Sequence, residues 1–182
     1  NVVILSPADC TATVKATIAA AGIDAPVYLR LTGSMNNPIV YKEDFDFEIG
    51  KAIELRQGDD VAIIATGSMV HCVLKAAEHL EAMGISVSVL DMHTIKPLDI
   101  TAVEAACKRK LLVTVEEHSI IGGLGSAVAE KLALKTIRPP HLIIGAPDVY
   151  PHAGDYVSLL DSCGLTPDKV AGKILETYKE LF

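Results

Sequence analysis

The chain has no basic stretch longer than Lys108-Arg109-Lys110, and its formal net charge is −7. That excludes the electrostatic footprint of a nucleic-acid-binding protein. No apolar run reaches the length of a membrane span, and no export leader is recognisable, so a membrane is not an expected partner. The four cysteines, Cys10, Cys72, Cys107 and Cys163, are far apart and unpatterned. They form neither a disulfide framework nor a zinc knuckle, and they read as a reducing, cytoplasmic setting. His71, His79, His93, His118, His141 and His152 show no metal-ligand spacing. No internal repeat is present. An initiating methionine is absent too. The chain opens directly on NVVIL, inside what reads as a strand, and this is expected of a piece of a longer protein.

What is there belongs to a packed α/β protein. Half of the 182 residues are apolar and 21% are charged, enough to build a core. Residues 1–5 read as a strand. Ser6 is expected to cap a helix with Pro7 at its first position and Asp9 near its positive end. That helix would turn Val14, Ile18 and Ala21 inward and stop at Gly22. Val27–Leu31, carrying Arg30, follows as a second strand. This β-α-β piece is too small to cover its own sheet, so exposed apolar surface or a contact with another copy is expected there.

Thr32 to Asp44, with Gly33, Ser34, Asn36, Asn37 and Pro38, reads as a linker. Phe45–Leu55 alternates as an edge strand would. From Val61 the pattern is regular. The strand Val61–Ala65 turns at Thr66-Gly67-Ser68 into a helix, Met69–Met83, with Ser68 as its cap. Val70, Val73, Leu74, Ala77 and Leu80 share one face of that helix. The strand Ile85–Leu90 and a loop, Asp91–Pro97, lead to a helix capped by Asp99 or Thr101. Leu111–Val115 is a strand apolar on both faces. After it come Glu116-Glu117-His118, the glycines Gly122, Gly123 and Gly125, and a helix opened by Ser126. A strand at Leu142–Ile144, a loop through Asp155 and a helix capped by Thr166 close the chain. Strands alternating with helices at this spacing imply a mostly parallel sheet covered on both sides.

Three places could carry chemistry. The glycine loop invites a nucleotide, and a free-standing nucleotide-binding module using Gly122–Ser126 is one alternative. The motif lacks the third glycine, starts too far beyond the strand, and has no acid about twenty residues on. Tight packing, with glycine where a side chain would collide, accounts for it. Glu116-Glu117-His118 could transfer protons. Neighbours on a strand end diverge, however, and a capping or interface role is the expectation. Arg30 sits near the end of a short strand, where its fork would match a carboxylate or a phosphate.

The runs DDVAIIATGSMVHCVLKAAEHLEAMGISVSVLDMHTIKPLD, LLVTVEEHSIIGGLGSAVAEKL and GAPDVYPHAGDYVSLLDSCGLTPDKV, in that order, resemble the C-terminal domain of transketolases. They are also similar to that domain in deoxyxylulose-phosphate synthases. The likeness covers residues 45–182. Residues 1–40, with SPADCTATVKATIAA and PVYLRLTG, resemble the end of the pyrimidine-binding domain that precedes it. The resemblance implies a three-layer α/β/α domain with a five-stranded, mostly parallel sheet and one antiparallel edge strand, after a β-α-β remnant.

For the whole enzyme it implies two-carbon ketol transfer between sugar phosphates, with thiamine diphosphate and magnesium. In this fragment it implies no catalytic, cofactor-binding or metal-binding residue, and a structural role at a homodimer. The missing N-terminal thiamine-binding domains, on this chain or on another subunit, are the implied partner. The arginine before the family's linker meets the sugar phosphate, and the matching position is Arg30. Leu31-Thr32-Gly33 follows it where deoxyxylulose-phosphate synthases carry a second arginine, which favours transketolase.

Overall fold

The structure is a computed structural model that describes residues 1–33 and 37–182. Ser34 and Asn36 of the expected linker lie outside the described residues. In chain order the elements are β1 (Val3–Leu5), α1 (Cys10–Ala21), β2 (Val27–Leu29), β3 (Ile53–Arg56), β4 (Val61–Ala65), α2 (Met69–Ala82) and β5 (Val87–Asp91). Then come β6 (Thr94–Lys96), α3 (Ile100–Ala106), β7 (Leu111–Ser119), α4 (Leu124–Leu132), β8 (His141–Ala146), α5 (Tyr156–Ser162) and α6 (Pro167–Leu181).

The main sheet runs β3-β5-β4-β7-β8. β3 is antiparallel to β5, and the other neighbours are parallel. This is the expected five-stranded sheet with one antiparallel edge. Alternation along β4 builds both faces. Val61, Ile63 and Ala65 point into a core with Val70, Val73 and Leu80 of α2 and Val170 and Ile174 of α6. Ala62 and Ile64 point into a second core with Val103 of α3 and Leu124, Val128 and Leu132 of α4. The three layers follow directly from these two sets.

The front of the chain differs from its sequence reading in detail. Asp9, not Ser6, caps α1, accepting from the Ala12 amide at 2.7 Å. Pro7 therefore precedes the helix. The inward face of α1 is Ala12 and Ala16, whereas Val14 and Ile18 are 60% and 68% exposed. Small side chains let the helix lie close to its neighbours, and the larger ones are left facing solvent. The expected exposed apolar surface is thus present, with Tyr28 and Leu31 adding to it. β2 ends at Leu29, so Arg30 lies just past the strand.

Phe45 and Phe47 are not in a strand. Phe45 stacks on Tyr41 and Phe47 on His93, which explains their alternation without a ladder. The loop Asp91–Pro97 contains β6, which pairs antiparallel with β1 to give a second sheet, β2-β1-β6. The β-α-β piece is therefore extended by a strand from the main domain.

Further bonds stitch the front into the main sheet. The Ser6 amide donates to His93 O at 2.8 Å, and Ser6 O accepts from the Gly67 amide at 3.1 Å. The second carboxylate oxygen of Asp9 accepts from the Val40 and Tyr41 amides at 2.7 and 2.9 Å. The Tyr41 hydroxyl donates to Asp91 at 2.7 Å. The end of the expected linker is thus built into the core.

Asp91 is fully buried, and that burial pushes its carboxyl up to about 7, against an ordinary 3.8. Burial pushes the neighbouring His93 imidazole down to about 4 from 6.5. Asp91 binds its proton more tightly folded than unfolded, so its contribution to stability is complete below about pH 4 and lost as pH rises through about 7. The His93 contribution is present above pH 6.5 and lost as pH falls towards 4. The two oppose each other between about pH 4 and 6.5. In Asp91→Asn, stability should climb with pH across that window more steeply than in the parent, by up to about 1.4 kcal/mol per pH unit. Urea unfolding at a series of pH values measures this, and parallel curves would contradict it.

Candidate functional site

β7 runs to Ser119, four residues past its apolar stretch, so Glu116, Glu117 and His118 lie on the strand and not in a loop. Glu116 is buried and turns beneath the start of α4. Its two oxygens accept from the Leu124 and Gly125 amides, each at 2.8 Å. The helix N-terminus, where an anion would sit, is therefore filled by the protein's own carboxylate. This removes the physical basis of the nucleotide-binding alternative at Gly122–Ser126. A Cβ on Gly123 would lie 2.0 Å from Glu116 Oε2, and one on Gly125 would lie 2.5 Å from Ile143 Cγ2. Glycine is required for packing at both positions. The helix opens at Leu124, and Ser126 instead accepts the Gly122 amide in its first turn.

Glu117 points the other way. Its carboxylate accepts from the Ser68 hydroxyl and, at 2.6 Å, from the Tyr156 hydroxyl. Ser68 thus spends its side chain on Glu117 and makes no cap bond to α2. Burial first, and the bond to Glu117 second, push the Tyr156 phenol up to about 12. The Glu117 carbonyl accepts from Arg30 Nη2 at 2.6 Å. Arg30 is half-buried and fixed to the end of β7 from across the junction between the two sheets.

Arg30 lines a cleft of about 140 Å³ with Ser6, Thr66, Glu116, His118 and Gly123. Ile4, Tyr28 and Ile95, from β1, β2 and β6, supply its apolar wall. The sequence offers Arg30 as one candidate and Glu116-Glu117-His118 as another, and the structure brings Arg30, Glu116 and His118 to this one cleft. It missed Tyr156, because α5 stood in a stretch read as a loop. The signal was Asp155, which caps α5 through the Ser158 amide. It also missed Ser6 as a lining residue. His93 and His141 lie elsewhere. His93 is under Phe47, and His141 bonds Thr114 at 3.0 Å, with burial pushing its imidazole down to about 4. Among the described residues no group of three His, Cys, Asp or Glu side chains could hold a metal ion. No helix there is long and apolar enough to cross a membrane.

Residues 50–170 match the family model described as transketolase, C-terminal domain. A transketolase family protein of Sinorhizobium fredii is 41% identical over 99% of this chain and 53% of its own length. A transketolase C-terminal section of Methanocaldococcus jannaschii is 39% identical over 99% of this chain and 57% of its own. A solved structure described as a split gene transketolase, inactive beta4 tetramer, is 38% identical and has a TM-score of 0.90. That match covers 100% of this chain and 58% of the other. The chain spans little more than half the length of these relatives.

Replacing Glu116 by Ala would leave two buried helix-start amides without an acceptor. We expect a loss of about 2–4 kcal/mol, read as a lower urea midpoint with an unchanged slope. A midpoint within error of the parent would show that the carboxylate does not hold this corner.

Proposed function

Since the chain belongs to the transketolase C-terminal domain family, we propose that it works as the C-terminal section of a transketolase-type transferase moving a two-carbon ketol unit between sugar phosphates. The observation that carries this reading is the extent of the likeness. It covers the front β-α-β segment with Arg30 as well as the main sheet. We take residues 1–40 as the end of a pyrimidine-binding domain and 45–182 as the C-terminal domain. The working setting is the cytoplasm, and the assembly is a homodimer built on the C-terminal domain. The tetramer named for the split-gene relative supports self-association of chains of this kind.

Among the described residues no three His, Cys, Asp or Glu side chains gather as metal ligands, and the start of α4, like those of α1, α3 and α5, already holds a carboxylate of this chain. As the family resemblance implies, the reading places thiamine diphosphate and its metal on N-terminal thiamine-binding domains, carried by this chain or by a partner subunit. This section's own part is to shape one wall of the substrate path. Arg30, braced against the Glu117 carbonyl, presents its guanidinium to the sugar phosphate. A planar fork gripped on one edge is already oriented when the substrate arrives, which lowers the entropy lost on binding.

Mixing this chain with a transketolase N-terminal section should give a complex in sedimentation and ketol transfer that neither part shows alone. A complex without transfer would sink the reading. In the assembled enzyme, Arg30→Ala should lower kcat/KM for phosphorylated substrates by about 1.5–3 kcal/mol, on the order of 10- to 150-fold. Substrates without the phosphate should be little affected. Equal losses for both would place Arg30 outside the phosphate site.

A further inference from the structure

We propose that His118 and Ser6 complete, with Arg30, a phosphate-binding subsite in the cleft between the β2-β1-β6 sheet and the glycine loop before α4. This rests on the reading of Arg30 as a phosphate ligand and extends it to two residues from separate elements.

Ser6 gives the first independent sign. It is 2% exposed, lines the cleft, and its hydroxyl meets no partner among the described residues. A buried hydroxyl without a partner is costly unless something supplies one. The Ser6 backbone is fixed on both sides, its amide on His93 O and its carbonyl beneath the Gly67 amide. The hydroxyl is the part left to act.

His118 gives the second. Its Nδ1 lies 3.1 Å from Ser119 O, a carbonyl that can only accept. Nδ1 therefore carries a proton, and Nε2 presents a second N–H to an anion once the ring is doubly protonated. Arg30 engages the Glu117 carbonyl through Nη2, which leaves the other edge of its fork for an anion.

Glu116 is the group that would oppose an anion here, with its Oε2 4.0 Å from His118 Nδ1. Its charge is answered by the two helix-start amides and the positive end of α4. The carboxylate thus does not fix the sign of the cleft. The wall of Ile4, Tyr28 and Ile95 thins the water around the charges and strengthens each contact. At about 140 Å³ the space takes a phosphoryl group and falls short of a pocket that buries a larger ligand whole. The ligand class is accordingly a phosphate monoester whose sugar extends outward.

The test uses the 182-residue chain with isotope-labelled histidine. Ribose 5-phosphate, inorganic phosphate and ribose are titrated while the imidazole resonances are followed, with His118→Gln assigning the His118 signal. Both phosphates should shift that signal saturably at concentrations on the order of millimolar, and ribose should not. By calorimetry, Arg30→Ala, His118→Gln and Ser6→Ala should each weaken ribose 5-phosphate binding by about fivefold or more. A His118 signal unmoved by either phosphate overturns the subsite. So does parental affinity in His118→Gln or in Ser6→Ala. If His118→Gln binds like the parent while Arg30→Ala does not, the subsite falls and the role of Arg30 stands. Parental affinity in Arg30→Ala would overturn the reading of Arg30 itself, and with it the shared subsite.

Discussion

The bond between the Glu116 carboxylate and the first amides of α4 is the interaction on which this corner of the molecule depends. It fixes where α4 starts. It also dictates glycine at position 123, because any Cβ there would occupy the space of the carboxylate. By holding α4 against the end of β7, it sets one wall of the cleft and the height of the Glu117 carbonyl on which Arg30 rests. An acid that looks catalytic in a list of residues is here spent on geometry. The chemistry left to the corner belongs to its neighbours.

A second constraint follows from the chain's connectivity. The short sheet of β1 and β2 cannot bury itself, and it gains β6 from a loop of the main domain. Asp9 reinforces this by serving α1 and the end of the linker at once. These ties make the junction between the sheets a fixed surface. Arg30 can then be presented by one segment and oriented by another.

Periodicity made the main sheet legible. The apolar runs at Val61–Ala65 and Leu111–Val115, and the helix face of Val70, Val73, Ala77 and Leu80, needed only local pattern. Failures came where long-range partners decided. Phe45 and Phe47 alternate because each meets a different ring, not because they share a ladder. Ser6 reads as a cap until Asp9, three residues on, takes the position. The inward side of α1 was misread because size suggested Val14 and Ile18, while close packing selected Ala12 and Ala16. The candidate site was legible as single residues. Their meeting was not, because it joins the residues just after β1 and β2 to β7 across more than 80 positions. Its place near a strand end singled out Arg30, the family resemblance supplied the sugar phosphate, and nothing local marked Ser6 as its neighbour.

The burial of the Asp9, Tyr41 and Asp91 ties also bears on the response to salt. Mobile ions shield charges that face solvent and reach those inside the protein far less. Ion pairs such as Lys75–Glu78 and Lys135–Glu104 lie outside, where added salt weakens them. The Asp9, Tyr41 and Asp91 bonds that help hold the junction between the two sheets are screened much less. Ionic strength will therefore loosen the periphery of this chain while leaving the relative placement of its two sheets, and so the shape of the cleft between them, unchanged.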